Sequence, residues 1–158
     1  MSDTSHSMSA TAVSHEAAFV LDADEARLFT EVGFLAAGRG DVQHADAIFQ
    51  ALRGIRPRRA YPWLGLAVAR MNAGRAAEAV TVLEQGEACM ADAPPAEAAL
   101  LAAWRGFALQ LAGRSGESTR LLQACAHGDG EGAALARALL GLPAAPAAAS
   151  PTSESTTR

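Results

Sequence analysis

The stretch that determines the fold runs from Gly40 to Leu83 and reads GDVQHADAIFQALRGIRPRRAYPWLGLAVARMNAGRAAEAVTVL. Within it, Gly40-Asp41 and Gly74-Arg75 stand at equivalent places in two copies of one pattern, 34 residues apart. In each copy, apolar residues at helical spacing precede the glycine and resume after it. The stretch therefore predicts two helix–turn–helix units in tandem.

A 34-residue period with apolar residues at fixed offsets is the signature of tetratricopeptide repeats, whose consensus is W-x2-L-G-x2-Y…A-x3-F…P. The first copy matches this consensus at Phe29, Val32, Gly33, Ala36, Ala45, Phe49 and Pro57. The second copy matches at Trp63, Leu66, Ala67, Arg70, Ala79 and Leu83. Ala91 stands where the proline of the second copy should be, so that copy follows the consensus less closely at its end.

Small residues at equivalent positions indicate how the two helices of a unit pack. Gly33 and Ala67 lie on first helices, and Ala45 and Ala79 on second helices. Small side chains at these points allow two antiparallel helices to approach closely. We expect the large residues around these contacts to fill the space within and between repeats at the density of a protein interior. They are Phe29, Phe49, Trp63, Leu66 and Leu83.

Turn signals extend the pattern in both directions. The first four helices are predicted at about 25–38, 41–54, 61–73 and 76–91, and a degenerate third unit at about 96–112 and 116–126. In that third unit Gly106 takes the small position, and Arg105 stands where an aliphatic residue is expected. A terminal capping helix is predicted at about 131–140, before Gly141 and Pro143.

The predicted fold is all-α, a tetratricopeptide-like right-handed superhelix of about three helical hairpins plus a C-terminal capping helix. We assign residues 23–142 to this repeat domain. Residues 1–22 are predicted to be a mostly disordered N-terminal segment and residues 143–158 a disordered tail. Residues 1–14 are rich in Ser and Thr, and residues 143–158 consist largely of Ala, Pro, Ser and Thr, so these stretches have little surface to bury, whereas the short apolar run Ala17–Leu21 could form a helix.

Composition excludes several classes of function. The net charge is −4 and the sequence pI is about 5.5, which does not suggest nucleic-acid binding. The chain has no lysine, which excludes Schiff-base and P-loop lysine chemistry. It has no stretch of the ~20 apolar residues that a membrane span requires, so we expect a cytoplasmic protein. Cys89 and Cys125 are far apart and form no CxxC motif, so neither a disulfide framework nor a zinc site is indicated.

The sequence suggests no catalytic, cofactor or metal site, and we expect a protein that is not an enzyme. Catalysis would need a nucleophile and a base that converge in one pocket, and the four histidines, His6, His15, His44 and His127, are not predicted to converge. The glycines between Gly33 and Gly40 lack the GK[ST] of a phosphate loop. Arg53, Arg56, Arg58 and Arg59 crowd one turn, either as a binding patch or as solvated cations near a helix C-terminus.

A partner-binding groove is predicted on the concave face that the first helices of such repeats line. Its inward-facing offsets select the apolar residues Phe34, Leu64, Val68, Met71, Phe107 and Leu111. A clamp for a peptide carboxylate would need several basic or amide side chains there, but only Asn72 and Gln110 are suitable. The groove therefore suits apolar anchors of an extended or helical partner.

Two further expectations concern this groove. Leu64 and Met71 are expected to lie beside the core rather than in it, and so to be open to a partner. Alternatively, the groove is covered by the segment Ala17–Leu21 of the same chain or by a second copy in a homodimer.

The run GFLAAGRGDVQHADAIFQALRGIRP, followed by WLGLAVARMNAGRAAEAV, resembles the small tetratricopeptide proteins of bacterial type III secretion. FQAL at 49–52 and WLGLA at 63–67 resemble the class II chaperones of translocator proteins (SycD-like). The run from Gly33 to Pro57 equally resembles the YscY- and HrpK-like components of the same system. Arg105 and the Pro94-Pro95 junction depart from the pattern.

The resemblance implies a cytosolic chaperone that binds and stabilises an aggregation-prone export substrate before secretion. Its client would be a secreted or translocator protein with an apolar segment. The alternative function is that of a generic tetratricopeptide adaptor or scaffold, which assembles fixed protein partners.

Overall fold

The computed structural model describes residues 21–144, and in this range the chain forms seven α-helices and no strand. The helices are α1 (Ala23–Gly38), α2 (Val42–Ile55), α3 (Ala60–Asn72), α4 (Ala76–Ala88), α5 (Pro95–Leu111), α6 (Ser115–Ala126) and α7 (Gly130–Leu139). The prediction of an all-α fold is confirmed. The predicted segments 1–22 and 143–158 lie almost entirely outside the described residues.

Four helices end in the same backbone motif. At Gly40, φ is +76°, its N–H donates to the carbonyl of Ala37, and the N–H of Asp41 donates to the carbonyl of Ala36. Glycine adopts this left-handed conformation without the steric cost of a Cβ atom, and the two bonds satisfy carbonyls at the helix end. The same φ region and the same pair of bonds recur at Gly74, Gly113 and Gly141. Gly40 and Gly74 are therefore structurally equivalent, as their spacing predicts.

The helices pack in two rows. Each helix contacts the next one along the chain, and the odd-numbered helices α1, α3, α5 and α7 also contact one another in series. Among the described residues, the even-numbered helices do not contact one another. The odd helices therefore form one continuous layer, and the even helices lie against it as separate elements.

Phe49 of α2 is the centre of the first core cluster. Its ring is fully buried and lies between Gly33 of α1 and Gly65 of α3. A Cβ atom at Gly33 would come within 2.8 Å of the Phe49 Cζ atom, and one at Gly65 would come closer still. The predicted small positions on the helices, Ala45 and Ala79 among them, are all buried.

Gly106 repeats this arrangement in the third unit. A Cβ atom there would lie 2.5 Å from the Leu122 Cδ2 atom. The Oγ of the buried Ser118 donates to the carbonyl of Gly106 over 2.7 Å, which is a close approach of α6 to α5. Gly106, which the sequence predicts to be the small position of the degenerate third unit, thus lies at a close contact between α5 and α6.

Phe29 departs from the sequence prediction. It was expected to fill the core, but it is 44% exposed, and Val32 is also exposed. Their equivalents on α3, Trp63 and Leu66, are only 4% and 2% exposed, with Leu66 in one core cluster with Phe49 of α2. Phe29 and Val32 stay exposed because no described helix precedes α1 and covers them.

Two arginines replace apolar consensus residues and join neighbouring helices. Arg70 donates through Nη2 to Asp46 Oδ2 of α2 over 2.7 Å and pairs with Glu78 of α4. The hydrogen bond to Asp46 raises the pKa of Arg70. Arg105 of α5 pairs through Nε with Glu87 Oε1 of α4 over 2.7 Å. The departure from an aliphatic residue at Arg105 is therefore compensated by an inter-helix ion pair.

Gly65→Ala should destabilise the fold, because the added methyl group would collide with the Phe49 ring. We expect a loss of about 1–3 kcal/mol in the free energy of unfolding from overpacking. Gly54→Ala is the matched control: a Cβ atom there meets nothing within 4 Å. In that helical position alanine should stabilise by up to ~1 kcal/mol. Urea unfolding followed by circular dichroism measures both, and equal midpoints would contradict this packing.

Candidate partner-binding face

Three neighbouring helices each carry a stripe of side chains at helical spacing. Residues three or four apart lie on one side of a helix. The stripes are Arg27, Thr30 and Phe34 on α1, Tyr61, Leu64, Val68 and Met71 on α3, and Leu100, Trp104, Phe107 and Leu111 on α5. Because α1, α3 and α5 pack side by side, we treat the three stripes as one surface, the odd-helix face.

Two cavities show that the N-terminal residues of the three stripes lie on a common side. One, of about 450 Å³, lies between α1 and α3 and is lined by Arg27, Thr30 and Tyr61 among others. The other, of about 290 Å³, lies between α3 and α5 and is lined by Tyr61, Leu64 and Leu100 among others. Arg59 and Tyr61 border both cavities. The two cavities thus adjoin and form one depression at the N-terminal ends of the odd helices.

The charged groups of this depression are largely paired. Arg27 and Glu31 form an exposed ion pair at 3.0 Å on α1. Glu97 of α5 accepts from Arg59 Nε at 3.0 Å through Oε1 and from the Ala60 backbone N–H at 2.6 Å through Oε2. Glu97 therefore takes the place of a capping side chain for α3, which has none of its own. This end of the face is polar but carries little unbalanced charge.

The opposite end of the face is apolar. Phe34 packs edge-on against Phe49, with ring centroids 5.0 Å apart, and Trp104 packs edge-on against Phe107 at 6.0 Å. Phe34 and Leu111 are exposed. Val68, Met71, Trp104 and Phe107 are half-buried. Half-buried aromatic and aliphatic side chains of this kind are suited to contact with an apolar partner.

Leu64 differs from the other five residues predicted to line the groove. It is 8% exposed and belongs to the core cluster that includes Trp63 and Leu101. The expectation that Leu64 lies beside the core was wrong, because α5 packs against α3 closely enough to cover it. Only its cavity-facing edge remains on the odd-helix face. That the six residues bind a partner stays a prediction.

Asn72 is already engaged within the chain. Its Nδ2 donates to the carbonyl of Ala37 over 2.9 Å, which ties the end of α3 to the end of α1. Gln110, the other amide considered for this face, is exposed. The structure thus gives no cluster of amides for a carboxylate clamp on the described part of this face.

The four arginines at the C-terminal end of α2 and in the turn after it make different contacts. Arg53 lies over the Trp63 ring, with its Cζ 4.9 Å from the ring centroid. Arg56 donates through Nη2 to the carbonyl of Leu21 over 3.3 Å, and Arg59 pairs with Glu97. Three of the four therefore contact their own chain, and Arg58 is exposed. These contacts could not be predicted from the sequence, because Leu21 and Glu97 are far from the turn along the chain and Trp63 lies on the next helix.

The described histidines lie apart. His44 is exposed on α2, where its Nδ1 lies 2.7 Å from Asp41 Oδ2. The backbone N–H of His44 also donates to Asp41 and lowers the pKa of that carboxyl. His127 is at the end of α6. Within residues 21–144, no group of three or more His, Cys, Asp or Glu side chains is placed to hold a metal ion.

The two thiols have different environments. Cys89 is exposed at the end of α4, and Cys125 is partly buried on α6. Burial raises the pKa of the Cys125 thiol, and the charge of Glu87 adds to that shift.

Among the described helices, none has the length and apolarity to cross a membrane.

Comparison with known proteins adds no relative. No protein-family model, curated protein or solved structure matches the chain. The odd-helix face is therefore interpreted from its own geometry and sequence.

Leu64→Asn should destabilise the protein, whereas Leu111→Asn should not. The amide would be buried among apolar side chains at Leu64, so we expect a loss of about 3 kcal/mol or more. Leu111 is 52% exposed, and its substitution should change stability by about 0.5 kcal/mol or less. Thermal unfolding of the two variants measures the difference. Equal melting temperatures would show that Leu64 is not in the core.

Proposed function

We propose that this chain is a tetratricopeptide-like protein that binds an apolar segment of another polypeptide on its odd-helix face. The observation that carries the proposal is the continuous layer of α1, α3, α5 and α7 with exposed and half-buried apolar side chains on one side. The odd helices contact one another and the even helices do not. The proposal takes the odd-helix face as the concave side of a right-handed superhelix, because stacks of helical repeats use an extended concave surface for binding.

The chemistry of the face favours an apolar client. Phe34, Met71, Phe107 and Leu111 offer aromatic and aliphatic contacts, and the neighbouring depression offers paired charges at Arg59 and Glu97. An amphipathic helix or an extended segment could place its apolar side chains against these aromatic and aliphatic residues and its polar groups beside Arg59 and Glu97. Binding of this kind hides client surface that would otherwise aggregate.

We propose a cytoplasmic chaperone of type III secretion as the biological role, with a secreted or translocator protein as the client. This step rests on the sequence resemblance of residues 33–57 and 63–80 to the small tetratricopeptide proteins of that system. The proposal includes no catalysis and no cofactor, since the face offers apolar contacts and paired charges rather than a nucleophile beside a base. The second candidate, a scaffold for fixed partners, uses the same face on folded proteins.

Co-expression with any secreted or translocator protein that a neighbouring gene encodes tests the role. A chaperone client should be insoluble when expressed alone and soluble, in complex, when expressed with this chain. A scaffold partner should be soluble alone and simply bind. A neighbouring secreted protein that neither binds nor changes in solubility would contradict the chaperone proposal.

Met71→Asn combined with Leu111→Asn should weaken the complex at least ~10-fold, because two apolar contacts of the odd-helix face are lost. Leu142→Asn is the control, since Leu142 is a comparably exposed leucine after α7 that lines neither of the two cavities of this face. Titration of the purified client, followed by calorimetry, measures both affinities. Full affinity in the double variant, with its fold intact by circular dichroism, would rule out the odd-helix face as the binding site.

A further inference from the structure

The outer side of α1 carries exposed apolar residues, and toward its C-terminal end Val32 and Leu35 border a cavity of about 300 Å³ that is also lined by Ile48 of α2. Leu28, Phe29, Val32 and Leu35 recur three or four residues apart and are all exposed, with Leu28 at 59% and Leu35 at 54%. They form one stripe along about two turns of helix. This stripe, which we name the α1 outer face, is distinct from the odd-helix face, since Phe34 and Thr30 lie on another side of the same helix.

The rest of the described chain leaves this stripe open. In α3 the equivalent positions, Trp63 and Leu66, are buried, with Leu66 in one core cluster with Phe49 of α2 and Trp63 beneath Arg53. At α1 there is no such preceding helix among residues 21–144. A run of four large apolar side chains costs free energy when it is left in water, and patches of this kind mark interaction sites.

Charges at the two ends of the stripe define what can cover it. Glu25 lies at its N-terminal end and Arg39 at its C-terminal end, each seven residues from Val32. Both side chains are exposed, and neither forms an ion pair within residues 21–144. Glu25 uses Oε2 to accept from the backbone N–H of Asp22, so its Oε1 can accept from an arginine. The face is therefore acidic at one end, apolar in the middle and basic at the other end.

This order is self-complementary about Val32. If a second α1 lies antiparallel across the first, Val32 meets its own copy and Phe29 meets Leu35 of the other chain. Glu25 of each chain then meets Arg39 of the other, twice in one interface. A parallel arrangement would instead place Glu25 against Glu25 and Arg39 against Arg39, which is unfavourable.

We propose that the α1 outer face binds a second copy of this chain through an antiparallel, two-fold symmetric α1–α1 contact. Symmetric contacts of this kind use the same patch on both subunits. One helix pair buries less area than the standard stable interface, so the dimer is weak, with a Kd in the ~µM range. The inference is independent of the proposed function, because it uses a different face of α1.

A charge-exchange experiment with the full chain tests the contact. Glu25→Arg alone and Arg39→Glu alone each place like charges together twice, and each should raise the dimer Kd at least ~10-fold. A mixture of the two variants restores both attractive pairs and should form a heterodimer with about the wild-type Kd. Sedimentation equilibrium over a concentration series, on each variant and on the equimolar mixture, measures this.

Controls separate the contact from folding. Arg27→Glu changes charge on the same helix but at the edge of the odd-helix face, and should leave the dimer Kd unchanged. Because Glu25→Arg removes the hydrogen bond to Asp22, the melting temperature of each variant is measured as well. Val32→Asp places two carboxylates on the symmetry axis and should give a folded monomer.

Two results would overturn the proposal. One is a wild-type chain that stays monomeric up to hundreds of micromolar, which would leave the face to the N-terminal residues of the same chain or to a different protein. The other is a dimer that survives Val32→Asp and both charge variants unchanged, which would place the contact elsewhere.

Discussion

The contact on which the rest of this structure depends is the insertion of the Phe49 ring between two glycines. Gly33 on α1 and Gly65 on α3 leave space for the ring at the junction of three helices. With any larger residue at either glycine, α2 could not approach both of its neighbours. The side-by-side packing of α1 and α3 follows from that approach, and with it the alignment of their stripes. The odd-helix face, which we propose as a binding site, thus depends on residues that lie behind it.

Polar contacts between units add a second constraint. Arg70 and Arg105 each hold neighbouring helices through carboxylates on α2 or α4, and Glu97 links the start of α3 to α5. Partly buried ion pairs contribute modestly to stability, but their geometry restricts which helix surfaces can face each other. In this chain Arg70–Glu78 joins the two helices of one hairpin, whereas Arg70–Asp46, Arg105–Glu87 and the Glu97 contacts join helices of successive hairpins.

How far the sequence predicts this structure depends on the range of the interactions involved. The helices and their turns follow from local signals, and Gly40, Gly74 and Gly113 mark them correctly because a left-handed residue is required at each turn. The exposure of Phe29 could not be read from its consensus position, since burial there requires a preceding helix. The burial of Leu64 depends on how closely α5 approaches α3. The arginine contacts depend on partners that become neighbours only after folding.

The packing order has a consequence for how the chain acquires its structure. Every helix in the described region touches only helices one or two places away along the chain. The loops that must close before native contacts form are therefore short, and chains with such local contacts fold quickly for their size. Each unit also adds its own stability and that of one interface, so structure can spread from any unit to the next. A chain of this design can become ordered while it is still being synthesised, before its later helices have left the ribosome.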